Sequence, residues 1–396
     1  MTREPVPERL SVLFSKPPLP GIELEDLVQA NAMKPHFPNI PPELVDEIID
    51  YLWDDKDALV ACSFVCRLFC IRTRVHLFRS IELKHTPDDE SSSQNILPYI
   101  KKITIRWSSD NISSLTPFLS SLPNLTALHL DMIDFFNPWS FHHLICQLRG
   151  LASIDLRHIQ FHGTVLVEPT TMNLDEPFPR INKISMCGTS FHASVVELLI
   201  RRRELRAIYV DSLHELCIKY PPGEYLSSIC AFVRAASSSL KSLDIRIRRV
   251  RSGINTLSSW PAQPDLLPLT MPTLQIEVEC RRYGWHAKVM TWLIDSLNGA
   301  NGPIMMETLT LVVVSPGCHD LAYIKLEDLA KQFSMLDEIL TGPDMKVFRR
   351  LKVLFKQYVD SPPSGEVSYH INWVHEKLQR VDKRNMLDVD VVEYTS

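Results

Sequence analysis

Apolar and polar positions follow two different rhythms along this chain. Between residues 42 and 52, Leu44, Val45, Ile48, Ile49 and Leu52 recur at the spacing of one helix face, and Glu43, Asp46, Glu47 and Asp50 fall largely on the other. Pro41 and Pro42 suit the opening of a helix, where amide protons lack partners anyway, and Glu43 suits the positive end of its dipole. The acidic stretch Asp54-Asp55-Lys56-Asp57 interrupts the pattern. It resumes from Ala58 to Val75 with Leu59, Cys62, Val65, Cys66, Phe69 and Cys70, which predicts a second helix. A unit of about 40 residues is too small for a generous core of its own. It must pack on the next domain or complete its core with a partner.

Beyond Ser80 the rhythm changes to a recurring phrase, apolar-x-x-apolar-x-apolar. Its clearest copy is Leu122/Leu125/Leu128/Leu130. Others are Ile100/Ile103/Ile105, Leu148/Leu151/Ile154/Leu156, Phe178/Ile181/Ile184/Met186, Leu205/Ile208/Val210, Leu240/Leu243/Ile245, Leu309/Leu311/Val313 and Phe348/Leu351/Leu354. The period-2 ending predicts a short strand with one buried face. Between strands, helical stretches are expected at Asn137 to Leu148, Ser194 to Arg202, Tyr225 to Ala236, Trp285 to Leu297 and Leu326 to Leu340. Asn137-Pro138 opens the first and Gly342 stops the last. Around Arg251 to Pro272 the phrase lapses into a Pro/Ser/Leu loop. The end reads as a helix, Asn372 to Arg380, followed by an acidic tail.

One strand and one helix per ~20–30 residues resembles the leucine-rich repeat. The Asn or Cys usual after such a strand is missing, its positions being held by Ile133, Ile159 and Thr189. The expected fold class is therefore α/β: a small helical module, then an irregular leucine-rich-repeat-like solenoid of parallel strands with helices. Three segments are expected: a Pro-rich, partly disordered leader over 1–36, the helical module over 37–80, and a repeat domain over 81–396.

Composition narrows the functional classes. The chain is 45% hydrophobic and 22% charged with net charge −5, so no global basic field exists to hold nucleic acid or an anionic membrane. No run approaches the ~20 apolar residues of a membrane span. Nine of the 28 prolines lie within residues 1–42, which forbids a continuous helix there, although Ile22 to Val28 forms a brief amphipathic patch. The charges and prolines of the N-terminus do not suit a signal peptide. Nine cysteines in so long a chain do not make a disulfide framework, and a reducing compartment, cytoplasm or nucleus, is expected.

The module from Phe37 to Phe78 resembles the F-box. Ile40-Pro41-Pro42-Glu43 matches the family's Leu-Pro-x-Glu opening, Leu59 follows the acidic turn as the family's central Leu does, and Val65-Cys66-Arg67-Leu68-Phe69 matches its Val-Cys-basic-x-aromatic ending, with Phe where Trp is usual. The resemblance covers roughly a tenth of the chain. It implies a substrate-receptor subunit of a Skp–cullin–F-box ubiquitin ligase: the module binds the Skp-type adaptor, and the repeats bind a protein target. On that reading the adaptor contacts are Ile40, Pro42, Leu44, Ile48, Leu52, Leu59, Val65 and Phe69. The chain itself carries no catalytic residue, cofactor or metal, since the thioester chemistry belongs to other subunits. Two other readings stand beside it. In one, the module is only an N-terminal cap on a repeat scaffold. In the other, an enzyme site lies in 251–285 around Trp260, Arg281, Arg282 and Trp285.

Several sharper motifs carry less. Cys62, Cys66 and Cys70 at helical spacing read as packing, since no Cys-x-x-Cys pair exists. His142, His143, Cys146, His158 and His162 lack the carboxylate of the His-Glu-x-x-His pattern. Two basic runs, Arg201-Arg202-Arg203 and Arg246 with Arg248, Arg249 and Arg251, read as solvated ends or as docking for an acidic or phosphorylated target. The nucleophile elbow, the phosphate-binding Gly-Lys loop and the dinucleotide turn are all absent.

Overall fold

The computed structural model describes residues 40–83, 96–108, 115–161, 179–188, 210–221, 225–247, 267–279, 285–300, 304–314, 326–358 and 366–394. The chain divides into two compact units, Met1–Thr73 and Arg74–Ser396. The leader, including Ile22–Val28, lies outside the described residues.

In the first unit, helix α1 spans Pro42–Tyr51, with Pro41 at the N-cap, a proline in the first turn and Glu43 beside it. Helix α2 (Lys56–Ser63) is capped by the Asp55 carboxylate, which accepts from the Ala58 amide at 2.9 Å. The single second helix expected over Ala58 to Val75 is in fact two, because α2 ends at Ser63 and α3 spans Arg67–Leu77. No Gly or Pro marks the break. The Ser63 hydroxyl donates to the Val60 carbonyl, and the Phe64 and Val65 amides turn to the carbonyls of Ala61 and Cys62, three residues back. Cys62, Cys66 and Cys70 are thus not three positions of one helix: Cys66 sits in the connection. Val45, Ile49, Leu59 and Thr73 are buried. Arg72 of α3 grips Asp50 of α1 with both Nε, at 2.7 Å, and Nη2.

The second unit is an α/β arrangement built on one large parallel sheet. Among the described residues twelve strands pair: β1 (Ser80–Leu83), β2 (Lys102–Ser108), β3 (Ala127–Phe135), β4 (Ser153–Arg157), β5 (Gln160–Phe161), β6 (Lys183–Cys187), β7 (Glu215–Lys219), β8 (Ser242–Ile247), β9 (Thr273–Glu279), β10 (Thr308–Val314), β11 (Arg350–Tyr358) and β12 (Leu387–Tyr394). They follow sequence order across the sheet, except β5, which pairs beside the end of β3. Every pairing is parallel and in step.

The register explains the repeated phrase. Leu83, Ile105, Leu130, Leu156, Met186, Ile218, Ile245, Ile276, Leu311, Val353 and Val389 stand opposite one another on successive strands. A second apolar ladder runs two residues earlier, from Ile81 and Ile103 to Leu351 and Leu387. Parallel crossover segments cover this face, so the ladders close against helices. Those are α4 (Thr116–Ser120), α5 (Pro138–Gln147), α6 (Leu226–Ala235), α7 (Trp285–Asn298), α8 (Leu326–Leu340), α9 (Glu366–Lys377) and α10 (Gln379–Lys383). Phe141, Phe232, Leu293 and Leu336 from the helices share one core with the ladders.

Three readings of the repeat are corrected, and one copy is added. Val210 lies in a 3₁₀ turn, and the buried copy there is Leu213, leading into strand β7 with Leu216 and Ile218. One copy that the sequence pattern did not single out, Met271/Leu274/Ile276, leads into strand β9; of the loop expected over 251–272, residues 251–266 lie outside the described residues and 267–272 form neither helix nor strand. The last two copies are shifted: Met306/Leu309/Leu311 and Phe348/Leu351/Val353 are buried, while Val313 and Leu354 are only half-buried. The acidic tail is strand β12, whose Leu387, Val389 and Val391 pack against the core between Asp388 and Asp390.

Helices α5 to α8 fall where expected, α5 with the Asn137 side chain accepting from the Ser140 amide. Ser194–Arg202 lies outside the described residues. Gly342 follows α8, its amide on the Ile339 carbonyl at 2.9 Å. The missing Asn after the strands has a substitute before them. Asn124 donates to the Pro98 carbonyl, Ser212 to that of Ile181, Ser239 to those of Val210 and Leu213, and Thr270 to that of Ser237. These bonds tie each turn to the preceding repeat, while Ile133 and Ile159 are buried.

Candidate functional site

The helical unit cannot bury all its apolar residues, and what it leaves outside forms the first candidate face. On α1 the helical period splits the apolar set in two. Val45 and Ile49, four residues apart, point inward at 2% and 0% exposure, whereas Leu44 and Ile48 are each 49% exposed. Tyr51, one turn beyond Ile48, continues the outward row. Val60 on α2, Phe64 and Val65 in the connection, and Leu68 and Ile71 on α3 are also exposed.

Of the residues expected to contact an adaptor, Ile40, Pro42, Leu44, Ile48 and Val65 lie outward, and Leu52 and Phe69 are half-buried. Leu59, by contrast, is 1% exposed. Tyr51, Trp53 and Phe64 are exposed aromatics that the motif did not single out. Their signal was present, since an aromatic that breaks the inward spacing of a small helical unit has no core to enter.

The second candidate face is the side of the sheet away from the ladders. One row reads His129, Asp155, Ser185, Cys217, Asp244 and Gln275 on consecutive neighbouring strands. It floors a groove of about 560 Å³. His129 Nδ1 lies 3.1 Å from Asp155 Oδ2, which also accepts from Arg157 Nη2 at 3.0 Å. Burial alone would raise the Asp155 carboxyl. The hydrogen bond and charge of His129, aided by Ser185 and Arg157, outweigh it and hold the group well below the usual carboxylate range. Burial, reinforced by Asp244, pushes the Cys217 thiol up to about 11, which suits a hydrogen-bond donor and not a nucleophile. Cys217 Sγ donates to Asp244 at 3.3 Å.

Arg246, proposed for acidic docking, is already engaged: its Nε and Nη2 donate to Asp244 at 2.9 and 2.8 Å. Burial opposes its charge, but Asp244 more than compensates. Arg201, Arg202, Arg203, Arg248, Arg249 and Arg251 lie outside the described residues, as do Trp260, Arg281, Arg282 and His162. Trp285 opens α7.

The remaining histidines hold structure. His142 meets Cys146 at 3.6 Å, and His143 pairs with Gln147 at 2.8 Å. His158, with φ of 52°, stacks over Gly188, where an added Cβ would fall 2.7 Å from its ring. Among the described residues no group of three His, Cys, Asp or Glu side chains is placed to hold a metal, and no helix is long and apolar enough to cross a membrane. No protein-family model matches this chain, and no curated protein matches it.

Proposed function

We propose that this chain is a substrate-receptor subunit of a Skp–cullin–F-box ubiquitin ligase, with α1–α3 binding the Skp-type adaptor and the sheet unit binding a protein target. The observation that carries the reading is the outward apolar row Leu44, Ile48 and Tyr51 on a helix whose inward row, Val45 and Ile49, already closes the unit's core. Side chains of this kind cost free energy in water and are the anchors of protein interfaces, where aromatic and aliphatic groups dominate the binding energy. The acidic turn, the double proline and the Val65–Phe69 ending accompany the row in the order that the F-box resemblance requires.

In this role the chain supplies proximity: it raises the local concentration of target at a ligase whose chemistry lies elsewhere. Co-expression with a Skp-type adaptor tests the reading. Wild type is expected to co-purify with it and Leu44→Asp to lose it, because the new carboxylate would be buried unpaired at a cost of several kcal/mol. Normal capture of a folded Leu44→Asp chain, or none by wild type, would contradict it.

A further inference from the structure

One register row near the C-terminal ends of the strands is followed by an unusual backbone. Asp131, Arg157, Cys187 and Lys219 stand opposite one another on β3, β4, β6 and β7. The residue after each is left-handed: Met132, His158, Gly188 and Tyr220 have φ of 57°, 52°, 66° and 57°. Simple alternation would send these positions into the core, as it does Ile247 after Arg246 on β8 and Val278 after Glu277 on β9, each 6% exposed. Instead Met132 and His158 are exposed, Tyr220 is half-buried, and the inward place after Met132 and His158 passes to Ile133 and Ile159. A left-handed turn costs free energy for any residue but glycine, and β8 and β9 show that the sheet does not need it. The pairing survives, since His158 and Tyr220 still donate their amides to the next strand, at 3.2 and 2.7 Å. What the strain yields is display, a second outward position beside the row on four consecutive strands.

The row itself carries the charge. Arg157 and Lys219 flank Cys187, a buried thiol, and Gly188 beyond it has no side chain. Burial pushes the thiol up and keeps it neutral. Arg157 and Lys219 act against burial there, each more strongly than Asp155 or Asp131 acts with it, so the field at Cys187 is positive. Its size can be counted. Asp155 accepts from Arg157 Nη2 at 3.0 Å, Asp131 lies 3.8 Å from Arg106, and Lys219 makes no hydrogen bond or ion pair among the described residues. One positive charge is left over. That matches a carboxylate, whereas a phosphate dianion would keep a charge uncompensated. Apolar surface adjoins it: Met132 is 49% exposed and Phe136, four residues on, 76%.

We propose that this rim binds an acidic peptide segment, with a Glu or Asp carboxylate at Cys187 between Arg157 and Lys219, bordered by His158, and an apolar neighbour on Met132 and Phe136. The inference rests on the reading of the sheet unit as the target-binding part, but it needs no adaptor. Its test is therefore run without one, and its failure leaves the adaptor result untouched.

The full chain, labelled with ¹³C-methyl methionine, is titrated with acetyl-Leu-Gly-X-Gly-Leu-N-methylamide in which X is Glu, Gln, Lys or phosphoserine. The Met132 methyl resonance is identified by its loss in Met132→Leu. The expected result is a saturable shift with the Glu peptide, binding at least about tenfold weaker with Gln and Lys, and no tighter binding with phosphoserine. Lys219→Gln should weaken the Glu peptide about tenfold, and Lys219→Arg should hold it within a few-fold of wild type. His158→Gly removes the bordering ring and relieves a left-handed turn, so it should melt no lower than wild type yet bind several-fold more weakly. Equal binding of the Gln peptide, tighter binding of the phosphoserine peptide, an unchanged affinity in Lys219→Gln or His158→Gly, or no saturable shift with any of the four would overturn the proposal.

Discussion

At the scale of single residues, the sheet's polar face is held by a few carboxylates that work for several partners at once. Asp155 serves His129 and Arg157, and Asp244 serves Cys217, Arg246 and Gln275. Because the folded pKa of Asp155 is depressed, its contribution is fully present above the ordinary carboxylate range and is lost as pH falls through the folded value. Asp155→Asn is expected to destabilise the chain by about 1–3 kcal/mol at pH 7, with the gap from wild type narrowing as pH drops below 4. Urea melts of both proteins at pH 7 and pH 3 check the sign. A gap that widened in acid would refute the assignment. These partners were not legible in the sequence. Alternation tells which positions face outward, but only the register shows that Asp155 stands between His129 and Ser185.

Elements were more legible than their phase. The phrase apolar-x-x-apolar-x-apolar marked most strands because the two ladder positions and the residue leading into them are all buried. It misled where two copies of the spacing compete within a few residues. Leu205/Ile208/Val210 and Leu213/Leu216/Ile218 fit the template equally, and the described strand β7 carries Leu216 and Ile218 of the second, while Leu205 and Ile208 lie outside the described residues. Helix breaks were the other blind spot, since the end of α2 is made by Ser63 and local carbonyls with no Gly or Pro.

Between elements, one buried contact stands out. Glu277 on β9, fully buried, meets Lys356 on β11 at 2.8 Å across the intervening β10. Lys356→Met removes this hydrogen-bonded cation and leaves Arg246, opposite Glu277 on β8, as a counter-charge, so the change is expected to cost about 1–3 kcal/mol. Lys356→Met combined with Glu277→Leu should recover much of that. Thermal denaturation of the single and double variants measures it, and a double variant no better than the single would show that the pair is not the source of the loss.

Among the described residues the second unit is a sheet built one strand at a time, each strand pairing with its neighbours in sequence order. Such an array depends on its ends. The acids of strand β12 suggest a tail, yet LDVDVVEY alternates strictly at first, and that alternation puts Leu387, Val389 and Val391 against the core. Deleting residues 387–396 should therefore uncover the backbone edge and apolar side of β11, lowering the melting temperature by several degrees and promoting aggregation. A truncated chain that melts with wild type in light-scattering-monitored heating would restore the tail.

The helical unit, taken by itself, presents apolar side chains to the outside, among them Leu44, Ile48 and Tyr51. Calorimetric titration of the purified full chain with a purified Skp-type adaptor is the most direct test, comparing wild type, the outward variant Ile48→Asp and the inward variant Ile49→Val. The account predicts saturable binding by wild type, retention of affinity within a few-fold by Ile49→Val, and loss of at least about a hundredfold by Ile48→Asp. Equal affinities for wild type and Ile48→Asp, or no heat of binding from folded wild-type protein, would contradict it.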